Sequence, residues 1–218
     1  MLNSFDRRVL GDSLVQFLRA CAGRSGFHLG GGAALSAAYL HHRLTADVDL
    51  FCHDAEEHRS LVRDLPGAAK EVGADFSIVR DAGSFVRGTL LLPEGPLTVD
   101  VVHEPVPDVE PPPPAIEGIT VESLADLRAS KLTCLLSRSE PRDLVDLLFL
   151  DRAGHPPEND LHLAIRKDGG IDPAILAWLL GQFPVAPLPA MLMPLTSEEL
   201  GRFRDDLRER MRAVAVPK

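Results

Sequence analysis

Two aspartates, Asp47 and Asp49, stand two residues apart in Asp47-Val48-Asp49-Leu50-Phe51, where polar and apolar residues alternate strictly. That alternation marks a half-buried strand, so both carboxylates leave the same face while Val48 and Leu50 point into a core. Like charges held so close are costly unless a cation lies between them. A second apolar run, Leu97-Thr98-Val99-Asp100-Val101-Val102, can pair beside the first and bring Asp100 to the same spot. Three hard oxygen donors suit Mg2+ or Mn2+, whose octahedron is completed by water and phosphate oxygens. Such a centre polarises a reacting phosphate and steadies both the attacking and the leaving oxygen. Taken singly, each aspartate reads as a solvent-facing residue of an edge strand; the combination points to metal-assisted phosphate chemistry.

A phosphate needs a cradle as well as a cation. Gly30-Gly31-Gly32 follows the short strand Phe27-His28-Leu29 and opens a helix. Unencumbered backbone N–H groups and the positive helix end can receive phosphate oxygens there. The run is not a Walker loop, because no Gly-Lys-Ser/Thr ending follows, nor a dinucleotide fingerprint, because Leu35 stands where the third glycine belongs.

The elements that must position these residues can be read from periodicity. Residues 6–22 and 33–42 read as helices, residues 56–72 as one or two more, and residues 76–79, 85–92 and 97–103 as strands separated by Asp-Ala-Gly and Pro-Glu-Gly-Pro turns. Six prolines between Pro105 and Pro114 preclude helix and central strand and leave an extended connector. Beyond it, residues 121–150 hold two helical patterns split near Pro141, and further helices are expected at 158–167, 173–183 and 197–214, the last two capped by an Asp and a Ser. The expected organisation is a first domain over residues 1–104, a connector over 105–118 and a helical domain over 119–218.

Composition narrows the class. The 218 residues, 45% of them hydrophobic, can bury one sizeable core or a core with an appended bundle. A net charge of −9 argues against coating nucleic acid by bulk electrostatics. Arg128, Lys131, Arg138 and Arg142 crowd one segment and could form a local basic face, although a solvated helix surface is the simpler reading. Cys21, Cys52 and Cys134 form no paired pattern, which indicates a reducing compartment. Charged residues interrupt the amino-terminal apolar run and no apolar stretch reaches membrane-spanning length, so a cytoplasmic protein with no membrane partner is expected.

The two halves together carry a family pattern. Gly31-Gly32-Ala33-Ala34-Leu35, then Leu40-His41-His42-Arg43-Leu44-Thr45-Ala46-Asp47-Val48-Asp49-Leu50-Phe51, resembles the opening motif of bacterial AbiEii/AbiGii toxin-like nucleotidyltransferases, within the DNA polymerase beta-like superfamily. Glu122-Ser123-Leu124-Ala125-Asp126-Leu127, then Lys131, Arg138 and Arg142-Asp143-Leu144-Val145-Asp146-Leu147, is similar to that family's Lys, Arg and Arg-Asp-x-x-Asp-Leu helices. The resemblance implies an α+β minimal nucleotidyltransferase fold, a mixed sheet flanked by helices, with a C-terminal helical bundle completing the active site.

It also implies roles. Asp47, Asp49 and Asp100 would hold Mg2+ or Mn2+, and Asp100 would help deprotonate the acceptor. Gly31, Gly32, Ala33, Arg43 and Thr45 would bind the nucleoside triphosphate. Ala33 stands where the family usually has Ser or Thr, which leaves that contact to backbone amides. Lys131, which by its position inside an apolar helix face could snorkel, reach a phosphate or reach Asp143, would contact phosphate. Asp143 would support it or handle a proton, with Arg142 and Asp146 as structural partners. The implied activity is transfer of a nucleoside monophosphate from an NTP to an acceptor hydroxyl, by the toxin of a toxin–antitoxin or abortive-infection pair acting on RNA such as tRNA, with a cognate antitoxin as partner. Alternatives are transfer to a small molecule or protein, or a degenerate domain that binds nucleotide or a partner without turnover.

The remaining chemistry-bearing residues have plainer readings. His41 and His42 are adjacent and diverge on a helix, which makes them helix-end residues rather than a metal pair. Cys52 reads as a small buried side chain, Trp178 as core, and His103 carries no assignment.

Overall fold

The computed structural model describes residues 4–215 and divides the chain into two compact units, one up to Ser123 and one from Leu124. The class is α+β. The first unit runs α1 (Asp12–Ala22), β1 (His28–Gly30), α2 (Gly31–Ala34), a π-helical turn (Leu35–Leu40), β2 (Asp47–Cys52), α3 (Ala55–Glu71), β3 (Asp75–Asp81), β4 (Phe85–Leu92) and β5 (Gly95–His103). The second runs α4 (Leu124–Ser137), α5 (Pro141–Arg152), a 3-10 turn (Pro157–Asp160), α6 (Leu161–Lys167), α7 (Pro173–Leu180) and α8 (Ser197–Ala215).

The five strands form one mixed sheet in the order β1-β2-β5-β4-β3, in which only β2 and β5 run parallel. Val48, Leu50, Val99 and Val101 are all fully buried, and α3 packs against β2, β3 and β5 with α1 against α3. These two amphipathic helices cover the apolar face, which leaves the other face of β2 and β5 to carry the aspartates.

Three local departures have physical causes. The first helix begins at Asp12 rather than Asp6, because Asp6 closes a separate turn: its carbonyl accepts from Val9 and Leu10 and its carboxylate from the Arg8 amide. The helix expected over 33–42 is a short α-turn that widens into π geometry, closed by the His41 amide donating to the Ser36 carbonyl at 2.9 Å with His41 left-handed at φ 54°. The α8 cap is Thr196 rather than Ser197: its hydroxyl accepts from the Glu199 amide and the Glu199 carboxylate from the Thr196 amide, a reciprocal capping box. Asp172 caps α7 as expected, accepting from the Ala174 and Ile175 amides.

The break between units falls after Ser123, later than the proline-rich segment. Residues past the prolines fold back onto the first unit: Leu29 donates to the Thr120 carbonyl, Glu122 donates to the Leu29 carbonyl, and Ile116, Ile119 and Val121 are buried. In the second unit α4 packs against α5, α6 and α7, and α8 against α5 and α7. Trp178 is not core. The sequence Pro-Ala-Ile-Leu-Ala-Trp-Leu-Leu is apolar all round, so only one side can be covered; Leu176, Ala177 and Leu180 take it, and Trp178 is 66% exposed beside Ile175 at 48%. Among the described residues no helix is long and apolar enough to cross a membrane.

Candidate active site

The strand register assembles the carboxylates. Asp49 lies directly opposite Asp100 on β5 and opposite Gly30 on β1, and Asp47 opposite Thr98. Residues paired across a ladder share a face, so Asp47, Asp49 and Asp100 emerge together. Thr45 steadies the first of them, its hydroxyl lying 2.8 Å from the Asp47 carbonyl and 2.9 Å from Asp47 Oδ1. The donor set fits a hard divalent cation: three carboxylates on adjacent strands, with no sulfur or nitrogen donor among them.

A further residue, Arg87 on β4, completes this face. Its Nε and Nη2 donate to the two oxygens of Asp100 at 2.8 and 2.7 Å, a bidentate fork on a carboxylate that is itself buried. The hydrogen bond and charge of Asp100, with the more distant Asp47 and Asp49, raise the guanidinium pKa. Arg87 was missed in the sequence, yet the signal is there. Pro93 and Glu94 form a two-residue turn, and counting outward from it pairs Arg87 with Asp100.

The glycine turn abuts this face. Gly31 is left-handed at φ 60°, and a side chain there would run into the Asp49 carboxylate. A side chain on Gly32 would meet the Arg43 guanidinium. Arg43 is only 2% exposed and donates from Nη1 to the Leu44 carbonyl at 3.0 Å, so it underlies the turn as a loop-fixing cation. Ala33 is fully buried. His42 is buried with its Nδ1 3.3 Å from the Ser36 hydroxyl, while His41 closes the π turn, consistent with helix-end roles for both.

In the second unit Lys131 is 3% exposed and lies 2.7 Å from Asp146 and 3.4 Å from Asp143. Arg138 forks onto Asp143 through Nε at 2.8 Å and Nη2 at 2.9 Å. Burial pushes the Asp143 carboxyl up, but the Arg138 hydrogen bond and the charges of Lys131 and Arg138 outweigh it and hold it below the usual range. Arg142 pairs with Glu140 at 2.6 Å, and Arg128 with Asp160 at 3.1 Å. The four cations read as a possible basic face are thus each matched by a carboxylate. Cys52 is buried, and desolvation pushes its thiol up to about 12, which removes it as a nucleophile at neutral pH.

Comparison with known proteins follows the same lines. The sequence model of the family described as nucleotidyl transferase AbiEii toxin, type IV toxin–antitoxin system, matches residues 13–216. Three solved structures share the fold. JHP933 from Helicobacter pylori is 24% identical, with TM-score 0.59 over 94% of this chain and 93% of that one. A second H. pylori structure, described as a candidate nucleotidyltransferase, is 23% identical with TM-score 0.59 over 94% and 96%. MenT4, a nucleotidyltransferase toxin of Mycobacterium tuberculosis, is 16% identical with TM-score 0.55 over 93% and 86%. No curated protein sequence matches the chain significantly.

Proposed function

The chain belongs to the AbiEii nucleotidyl transferase toxin family of type IV toxin–antitoxin systems, and from that premise we propose that it transfers a nucleoside monophosphate from an NTP to an acceptor hydroxyl on RNA such as tRNA. The observation that carries the reading is the register that sets Asp49 between Gly30 and Asp100, with left-handed Gly31 against its carboxylate.

In this reading Asp47, Asp49 and Asp100 hold Mg2+ or Mn2+, which when bound supplies charge neutralisation at the phosphates. Gly31 and Gly32 turn backbone amides toward the triphosphate, and Arg43 keeps that turn in shape from beneath. Thr45 fixes Asp47. Arg87 takes one lone pair on each Asp100 oxygen, which leaves the others to accept from the cation and the acceptor hydroxyl while the fork holds the carboxylate in place. Ala33 contributes no hydroxyl, so Ala33→Ser is expected to change turnover by less than about tenfold, the buried side chain having no part in the contact. Lys131 and Asp143 are proposed to act with the nucleotide on the strength of the family pattern, and their mutual ion pair supports a role as one unit.

Incubation with each α-labelled NTP and separate pools of tRNA, other RNA, protein and small aminoglycosides tests the acceptor. Label is expected in tRNA. Label in protein or aminoglycoside with none in RNA would replace the RNA reading with the small-molecule or protein one. A cognate antitoxin is expected to abolish the transfer when added in equimolar amount.

A further inference from the structure

At the far end of β2 from Asp47, a second cluster of ligating groups gathers from three separate stretches of chain. His28 opens the edge strand β1, His53 follows the last residue of β2, and Asp108 lies in the proline-rich segment. One ligating atom from each lies within 4.8 Å of the others. His53 Nε2 is 3.0 Å from Asp108 Oδ1, and His28 Nδ1 is 3.5 Å from Asp108 Oδ2. Nitrogen and oxygen ligands about 2.0–2.1 Å from a tetrahedral ion sit roughly 3.3 Å apart, and the contacts of 3.0 Å to Oδ1 and 3.5 Å to Oδ2 bracket that spacing through the two oxygens of one carboxylate.

The hydrogen bonding of His53 sharpens the case. Its Nδ1 is 2.8 Å from the Glu104 carbonyl, which can only accept, so the proton is on Nδ1. Nε2 faces a carboxylate oxygen of Asp108 at 3.0 Å, a position where a cation can take the place of a shared proton. A ligating histidine whose other nitrogen donates to a backbone carbonyl is the usual supporting arrangement at metal sites. The three side chains are 18–29% exposed, and a cleft of about 120 Å3, lined by both imidazoles, adjoins them and leaves room for a water as fourth ligand.

We propose that His28, His53 and Asp108 bind one divalent cation of the zinc class and thereby tie the proline-rich segment to the end of the sheet. Two imidazoles and one carboxylate favour such an ion over Mg2+, whereas the all-oxygen set of Asp47, Asp49 and Asp100 has the opposite preference. The two sites are therefore separable by ion type. Nothing in this proposal depends on the transfer reaction.

The test uses chelator-treated full-length protein in excess Mg2+, titrated with Co2+ and followed by its visible absorption and by thermal unfolding. One Co2+ per chain is expected, displaced by one Zn2+, with a rise in unfolding midpoint on loading. His53→Ala and Asp108→Asn should each lose the absorption and the rise, and Asp49→Asn should keep both. Asp108→Asn preserves volume, so it remains informative if His53→Ala fails to fold. Absence of the band, its persistence in both variants, or its loss in Asp49→Asn would overturn the site. Retention of an unloaded His53–Asp108 contact as a proton-bridged pair is the alternative that such a result would establish.

Discussion

Each residue of the carboxylate face is constrained by a neighbour that can be changed separately. Arg87 supplies the only guanidinium seen on Asp100 among the described residues, so Arg87→Leu leaves a buried carboxylate near two others. Its cost is expected to be about 1–2 kcal/mol, discounted because Arg87 is half exposed, and to be largely recovered on adding Mg2+. Thermal unfolding with and without the cation reads both effects. Gly31→Ala forces a side chain into left-handed backbone and into Asp49; about 1–3 kcal/mol of strain and loss of NTP binding are expected, measured by denaturant melts and by binding of a nonhydrolysable NTP. The aspartates and glycines were legible because alternation and a Gly run survive in one dimension. For Arg43 the family pattern left open a cation near the phosphates or a residue fixing the loop; that its guanidinium lies beside Gly32 depends on a three-dimensional approach no spacing encodes.

At the scale of elements, the strands and most helices followed from periodicity, and the failures share a cause. Trp178 sits on a helix apolar on every side, so pattern alone cannot choose the covered face. The π turn after Gly32 has the composition of an ordinary helix and differs only in hydrogen-bond register. The opposite holds in α4, whose buried Lys131 and Asp126 blur its amphipathic stripe, yet whose apolar flanks betray a lysine turned inward. Lys131→Met removes the ion pair with Asp146, and such a broken buried pair costs about 3–5 kcal/mol. Adding Asp146→Leu is expected to restore most of that stability without restoring transfer. Full activity in the stable double variant would reduce Lys131 to a packing role. Calorimetry and labelled-NTP assays on the same preparations make the comparison.

For the molecule as a whole, the two units carry separate cores and respond to different variables. Asp143 has a depressed folded pKa, so its contribution is fully present above its unfolded value near 4 and is lost as pH falls through the lower folded value. Stability between pH 5 and 8 is therefore expected to be indifferent to this group. The acid limb below pH 4 should be shallower in Asp143→Asn, as seen in thermal melts across pH. The central claim, that the carboxylate face is the catalytic metal site, is tested most directly by Asp49→Asn. Nucleotidyl transfer is measured against Mg2+ concentration, with the unfolding midpoint taken in parallel. Transfer should fall at least about 100-fold at every Mg2+ concentration, with a cooperative unfolding transition showing that the variant is folded. Wild-type turnover in Asp49→Asn at saturating Mg2+ would contradict the account.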